Sequence, residues 1–235
     1  MLGTSSILKV EEIDLPSFDV KKPILDATFI SGTNEEQHFS VFHTQNLSSS
    51  INYAIHFAKK SYLGYFQNQA TNNNYFQVNF TLKPIKAKYQ CKVLYKHHRI
   101  FYEHNGGLKD DSSFTTDNFM SRNRMLLDVN LQEAFSKDKI HKIGIKQIFI
   151  LKKIIDSANY TSKQQIEFDA QISRQSRTYF DSVTDDFFQF SLDTNSTYDT
   201  LINDKLSGQL SYSFYKEKDS THNSSFITGI GYDYL

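Results

Sequence analysis

The sequence has one cysteine, Cys91, no tryptophan, three prolines and nine glycines in 235 residues. A single thiol excludes an internal disulfide framework and a multi-cysteine zinc site within one chain, so Cys91 reads as a small apolar side chain. Few Pro and Gly beside 14 Tyr and 20 Phe exclude a disordered chain of similar polarity. Basic and acidic residues balance at 26 each, for a formal net charge of +0, so no global field draws nucleic acid or an anionic surface. No apolar run approaches the roughly 18 to 20 residues of a spanning helix, and mean hydropathy is -0.50. A membrane location is therefore open only to strands. Met1 to Val20 has no basic start, apolar stretch and small-residue cleavage site in sequence, so it does not read as a secretory signal.

What the chain has in abundance is alternation of apolar and polar residues with period two, which puts one set of side chains on each face of a strand. Ile51, Tyr53, Ile55 and Phe57 alternate with Asn52, Ala54, His56 and Ala58. Phe76, Val78, Phe80 and Leu82 alternate with Gln77, Asn79 and Thr81. Tyr89, Cys91, Val93 and Tyr95 alternate with Gln90, Lys92 and Lys96. Ile166, Phe168, Ala170 and Ile172 oppose Glu167, Asp169, Gln171 and Ser173, and Leu206, Leu210, Tyr212 and Phe214 oppose Ser207, Gln209, Ser211 and Ser213. The pattern predicts about nine strands, centred near Ala27, Val41, Ile55, Gln77, Tyr95, Ile145, Phe168, Leu210 and Ile230, and no competing helix.

Strand length and loop length carry the next step. The stretch from Ile51 to Lys59 reaches about 30 Å at roughly 3.3 Å per residue, or roughly 23 Å in height at a tilt near 40°, close to the apolar band of an outer-membrane barrel. The connections predicted at 46–48, 83–87, 152–161 and 216–223 are short or moderate, whereas 61–74, 103–138 and 177–205 are long. In a meander all the long ones fall on one end, as in an outer-membrane barrel; the short first hairpin, 31–35, is the exception. Aromatics near the strand ends, such as Tyr53, Phe57, Tyr62, Tyr89, Tyr95, Tyr212 and Tyr232, fit interfacial girdles. The same alternation also builds soluble β-sandwiches, where these aromatics are core.

Catalytic and ligating constellations are weak. A hydrolytic site needs a nucleophile with a base in reach, and the eight histidines do not spell one. His97 and His98 are strand neighbours, so they face opposite ways and cannot share an ion. Lys96, His97, His98 and Arg99 read as the solvated end of a strand rather than a phosphate contact. Asn105, Gly106 and Gly107 read as a turn needing positive φ. Asp181, Asp185 and Asp186 before Phe187, Phe188 and Phe190 read as an aromatic loop over a mouth rather than a calcium or partner site. Asn68, Asn72, Asn73 and Asn74 read as polar loop.

Several ordered segments together resemble the Putative porin family of Bacteroidota outer membranes. They are His43-Thr44-Gln45-Asn46, then Gly64-Tyr65-Phe66-Gln67-Asn68-Gln69 with Thr71-Asn72, then Glu103-His104-Asn105-Gly106-Gly107-Leu108. Asn123-Arg124, Val129-Asn130-Leu131 with Ala134, and Lys22-Pro23 with the stretch from Gly32 to Phe39 follow the same style. The resemblance covers residues 22–151 best. It implies a transmembrane barrel with a polar interior and carries no catalytic or ligand residues. It also implies a longer parent, of which this chain is an internal portion or the product of a missed start.

The expectation is an all-β fold, an antiparallel up-and-down transmembrane β-barrel, partial, with about nine or ten strands; residues 7–15 supply the optional tenth. Residues 1–21 form an N-terminal extension or remnant strand and 22–235 the barrel segment. The expected activity is passive diffusion of small polar solutes across the cell outer membrane, with no enzyme activity, cofactor, metal or nucleic acid. The lumen would be lined by Asn52, His56, Gln77, Asn79, Gln90, Lys92, Lys96, Glu167, Asp169 and Gln171, whose mixed charge predicts little ion selectivity. Expected partners are outer-membrane lipid, the solutes, and a protein bound by the long loops. Two alternatives stand beside this reading: a plugged outer-membrane barrel acting as a structural or assembly partner, and a soluble β-sandwich binding module.

Overall fold

The computed structural model describes residues 18–84, 88–110, 112, 123–156, 160–182, 196–218 and 222–234, with side chains described at all of these except 153–156, 160–162, 216–218, 222–227 and 233–234. Nine strands follow one another: β1 (Ile24–Ser31), β2 (Gln37–Ser48), β3 (Ile51–Tyr62), β4 (Thr71–Leu82), β5 (Tyr89–His104), β6 (Ala134–Asp156), β7 (Tyr160–Asp181), β8 (Thr197–Lys218) and β9 (His222–Tyr234). They form one sheet in sequence order, each antiparallel to the next. Each predicted strand centre falls in its own strand. The reason is local: β-branched and aromatic residues every second position fit a pleated surface with one apolar face. β1 and β9 are the sheet's edges, and they are not paired with each other.

The strands run further than the apolar pattern predicts. Residues 134–138, 177–181 and 197–205, read from the sequence as loop, are strand, and β6, β7 and β8 reach 23, 22 and 22 residues. Asn72, Asn73 and Asn74 lie in β4 rather than in a polar loop, and Lys96 to Arg99 sit in mid-β5 rather than at a strand's solvated end. The physical reason is that the backbone ladder does not depend on side-chain polarity. Polar residues end a hydrophobic pattern without ending the pairing. The predicted tenth strand at 7–15 and the aspartates and phenylalanines of 185–190 lie outside the described residues.

Which face is covered decides the class of the fold. Along β3, Asn52 and Ala54 are buried while Ile55 and Phe57 are exposed, and along β4 the buried Asn79 and Thr81 flank the exposed Phe80. Ser173 and Gln175 of β7 are buried, whereas Ile172 is 55% exposed. Lys142 of β6 is 4% exposed beside Ile143 at 50%. A sandwich does the reverse, burying apolar rows against a second sheet. Here the described strands make one sheet, and crowding on the polar side of mid-strand positions means the sheet curls toward that side. That is the inside-out arrangement of a membrane barrel.

Candidate functional site: the polar face and its loop cap

Register places all ten predicted lumen residues on the covered face. Asn52 and His56 of β3 sit opposite Thr81 and Gln77, and Asn79 sits opposite Ala54. Gln77 meets Lys96 across β4 and β5. Through β6, Lys92 connects by Lys146 to Asp169, Gln90 by Ile148 to Glu167, and Leu94 by Gly144 to Gln171. His98 belongs to this face and His97 to the other, as strand geometry requires.

Hydrogen bonds bind the face both across and along the strands. Thr44 Oγ1 donates to the Tyr53 carbonyl at 2.9 Å, and the Asn52 amide donates to Asn46 Oδ1 at 2.7 Å. Tyr75 Oη donates to Gln77, whose amide donates to Asn79 at 3.1 Å. The Tyr75 ring also carries the Lys96 ammonium at 5.3 Å and lies between His56 and His98 at 5.1 and 5.7 Å. Charges sort by strand. Lys92 and Lys96 of β5 stand directly opposite Lys146 and Lys142 of β6, while the carboxylates Glu167 and Asp169 follow on β7. Lys146 reaches Glu167 at 2.9 Å. A basic wall therefore adjoins an acidic one, an arrangement the composition alone does not show. Nearer the long loops, Arg177 clamps Asp138 through two bonds of 2.8 and 2.7 Å, a bidentate geometry of high specificity.

The sequence reading missed the structure over the long-loop end. There the described parts of the β5–β6 connection, 105–110 and 123–133, fold into a knot whose Leu127, Val129 and Leu131 are 3%, 0% and 3% exposed, a small apolar core outside the sheet. Leu108 bridges Val129, and backbone bonds join Lys109 to Asp128, Asn130 to Gly107 and Leu131 to Asn105 at 2.9–3.0 Å. The Asn130 amide donates to the carbonyls of Gly106 and Leu108 at 3.0 and 3.3 Å. Gly106 (φ 65) and Gly107 (φ 87) make the turn, and a Cβ on Gly106 would stand 2.8 Å from Leu131 Cγ. A short 3-10 turn, Arg124–Leu126, starts at Asn123, whose side chain accepts from the Met125 N–H. At the loop's surface the Ser112 hydroxyl and backbone N–H both donate to Asp110 and hold its carboxyl below the ordinary range.

The β3–β4 loop locks onto this knot. Asn68 donates to the carbonyls of Leu131 and Gln132 at 2.9 and 2.7 Å, and Gln67 to that of Met125 at 2.9 Å. Arg124 lies over the Phe66 ring at 5.8 Å. Gly64 (φ 97) allows the entry, since a Cβ there would meet Gln69 Cβ at 2.4 Å. Together the two loops lie over the polar face and leave a cavity of about 490 Å³ lined by Tyr62, Thr71, His104 and Tyr179 of the strands and by Asn105 to Gly107 and Leu131 of the cap. At the opposite end, residues 18–20 cross the same face. Phe18 packs on Phe42 at 5.2 Å, and Asn46 donates to Asp19 and to the Val20 carbonyl at 3.1 and 2.9 Å.

The cap is built from several of the segments on which the family resemblance rests, namely Gly64 to Gln69, Asn105 to Gly107, Asn123-Arg124 and Val129 to Leu131. Comparison with known proteins agrees. The sequence profile of the family described as Putative porin matches residues 5–233. No curated protein and no solved structure shows a match. With all but one residue of the nine-stranded sheet inside the matched region, and the cap formed by residues that carry the likeness, the chain belongs to the Putative porin family.

Proposed function

We propose that this chain forms the wall of an outer-membrane pore through which small polar solutes diffuse passively, in the outer membrane of a member of the Bacteroidota. The observation that supports this reading is the inversion of burial: apolar rows such as Ile143, Ile172 and Leu206 are half exposed while Lys142 and Ser173 between them are covered. Water has no use for such a surface, and lipid does. The ten residues from Asn52 to Gln171 on the covered face then line the lumen. Lysines facing carboxylates across adjacent strands give a transverse field rather than strong selectivity for one sign of charge. The unpaired edges of β1 and β9 cost several kcal/mol per unsatisfied backbone group in lipid, and bacterial barrels close with an even strand number, so further strands complete the wall and the sheet described is part of a larger barrel. The pore catalyses nothing.

The test is single-channel conductance in planar bilayers with protein extracted from outer membranes as assembled in the cell. Discrete, weakly ion-selective steps are expected; intact insertion without conductance defeats the pore. The knot of loops across one mouth favours one rival, a plugged barrel that serves as a structural or assembly partner and binds a protein through its loops. Silent bilayers together with a stoichiometric co-purifying protein would establish it.

A further inference from the structure

On the outward face, toward the long-loop end of β6 and β7, lies a second cavity of about 300 Å³. Register explains its walls. Lys137 stands opposite Thr178 and Lys139 opposite Ser176, and the next outward pair is Phe135 with Phe180, whose rings are 5.2 Å apart. Lys137 is held over the Phe135 ring at 4.6 Å, which fixes its ammonium at the cavity. Arg99 of β5 is the cross-strand neighbour of Lys139. Among the described residues no carboxylate lies within 4.0 Å of either lysine's amino group or of the Arg99 guanidinium. One row nearer the band, by contrast, Arg174 is matched by Asp204 at 2.6 Å.

The height of this cluster says what it meets. The outward rows are apolar up β6 from Phe149 to Ile143, apart from Gln147, and up β7 from Ile166 to Ile172. A band roughly 25 Å tall covers about ten residues of a tilted strand, which brings its upper edge to the Arg174–Asp204 row, with Lys139 in the next row above it. Cations, hydroxyl donors and aromatic rings are thus gathered where lipid chains give way to headgroups, the level at which aromatic and basic anchors sit. We infer that this cavity binds the phosphate-bearing headgroup of an anionic lipid of the outer leaflet. The lysine ammoniums and the Ser176 and Thr178 hydroxyls supply donors to phosphate oxygens, and the chains of the same molecule lie down the rows of Ile143 and Ile172. A free anion has no share in that second contact, which is why the occupant is a lipid. The inference rests on the membrane reading above.

The experiment uses native mass spectrometry of the purified protein in neutral detergent, titrated with bisphosphorylated lipid A, with phosphatidylcholine and with inorganic phosphate. Wild type is expected to retain lipid A at least about ten-fold more tightly than K137Q/K139Q. The K137R/K139R variant and K59Q, which removes an outward lysine on β3, are expected to match wild type. All three variants alter surface side chains, and circular dichroism checks their β-content. Equal retention by wild type and K137Q/K139Q, or equal binding of phosphatidylcholine, overturns the site. Displacement of lipid A by millimolar phosphate overturns its lipid character. Insertion into vesicles is measured in parallel: a chain that inserts without lysine-dependent lipid retention sinks this inference alone, and one that stays in the aqueous phase sinks both it and the pore.

Discussion

Asp138 and Arg177 show how far the same chemistry differs with its surroundings. Their side chains are 2% and 19% exposed, whereas those of Arg174 and Asp204, equally bidentate, are 65% and 51% exposed. Removing one partner of a buried pair strands the other charge and costs about 3 kcal/mol, while an exposed pair contributes under about 1 kcal/mol. Asp138→Asn should therefore lower the urea midpoint of the vesicle-folded protein clearly, and Asp204→Asn should leave it nearly unchanged. Equal effects would place both pairs in similar solvent. Polar residues are the principal inward side chains here, and while the buried Gln165 Oε1, Ser207 Oγ and Ser213 Oγ have no hydrogen-bond partner among the described residues, many have neighbours to satisfy them: Asn73 meets His98 at 2.7 Å, and Ser136 meets His104 at 2.7 Å. This is why Asn, Ser and Gln can occupy buried strand positions at tolerable cost.

At the scale of the strand, the two faces of β7 would meet different solvents on the proposed membrane reading. Ile172 is already half exposed, so in a soluble protein replacing it by lysine would change stability by less than about 0.5 kcal/mol. In lipid within the band the same change costs about 1–4 kcal/mol, rising toward the midplane. Ile172→Lys therefore separates the two environments with one substitution, read as unfolding free energy in phospholipid vesicles. A neutral result would remove lipid from that face. On the same reading, the long extensions of β6, β7 and β8 above the band interrupt the apolar row with Lys137, Lys139 and Thr178 among outward Phe135, Phe180 and Ile202. Their pairing persists because ladder hydrogen bonds continue across polar residues, with aromatic contacts such as Phe180 to Tyr198 at 6.4 Å reinforcing the outer rows.

For the molecule as a whole, the sheet and the cap divide the work. The sheet has little apolar interior of its own; Leu127, Val129 and Leu131, three of the six buried apolar residues described, belong to the loop knot. The cap is therefore a folded unit laid over the polar face, and on the proposed pore reading it would govern access to the lumen. Asn130→Ala removes two bonds that tie the knot, at a cost of about 1 kcal/mol each, without touching a strand. Larger and noisier single-channel conductance is expected from it, with faster protease cleavage between Gly107 and Val129. Unchanged conductance with increased cleavage would mean that the cap does not limit flow.

Period-two alternation by itself determined the number of described strands, their order of centres and the membership of each face, because strand geometry is local and a side chain's face follows from counting by two. The ten polar residues from Asn52 to Gln171 could be grouped before any register was known. The extent of the strands could not, since Asn72 to Asn74 and 197–205 are held by partners distant in sequence rather than by their own apolarity. Nor could the cap be read from Gly106 or Asn130 alone, because the turn is legible locally but its seat on Leu131 and over Tyr179 is not. Only the tertiary structure decided that the polar face is the covered one. Covering depends on the direction in which nine paired strands curl, and that is a property of the sheet, not of any residue within it.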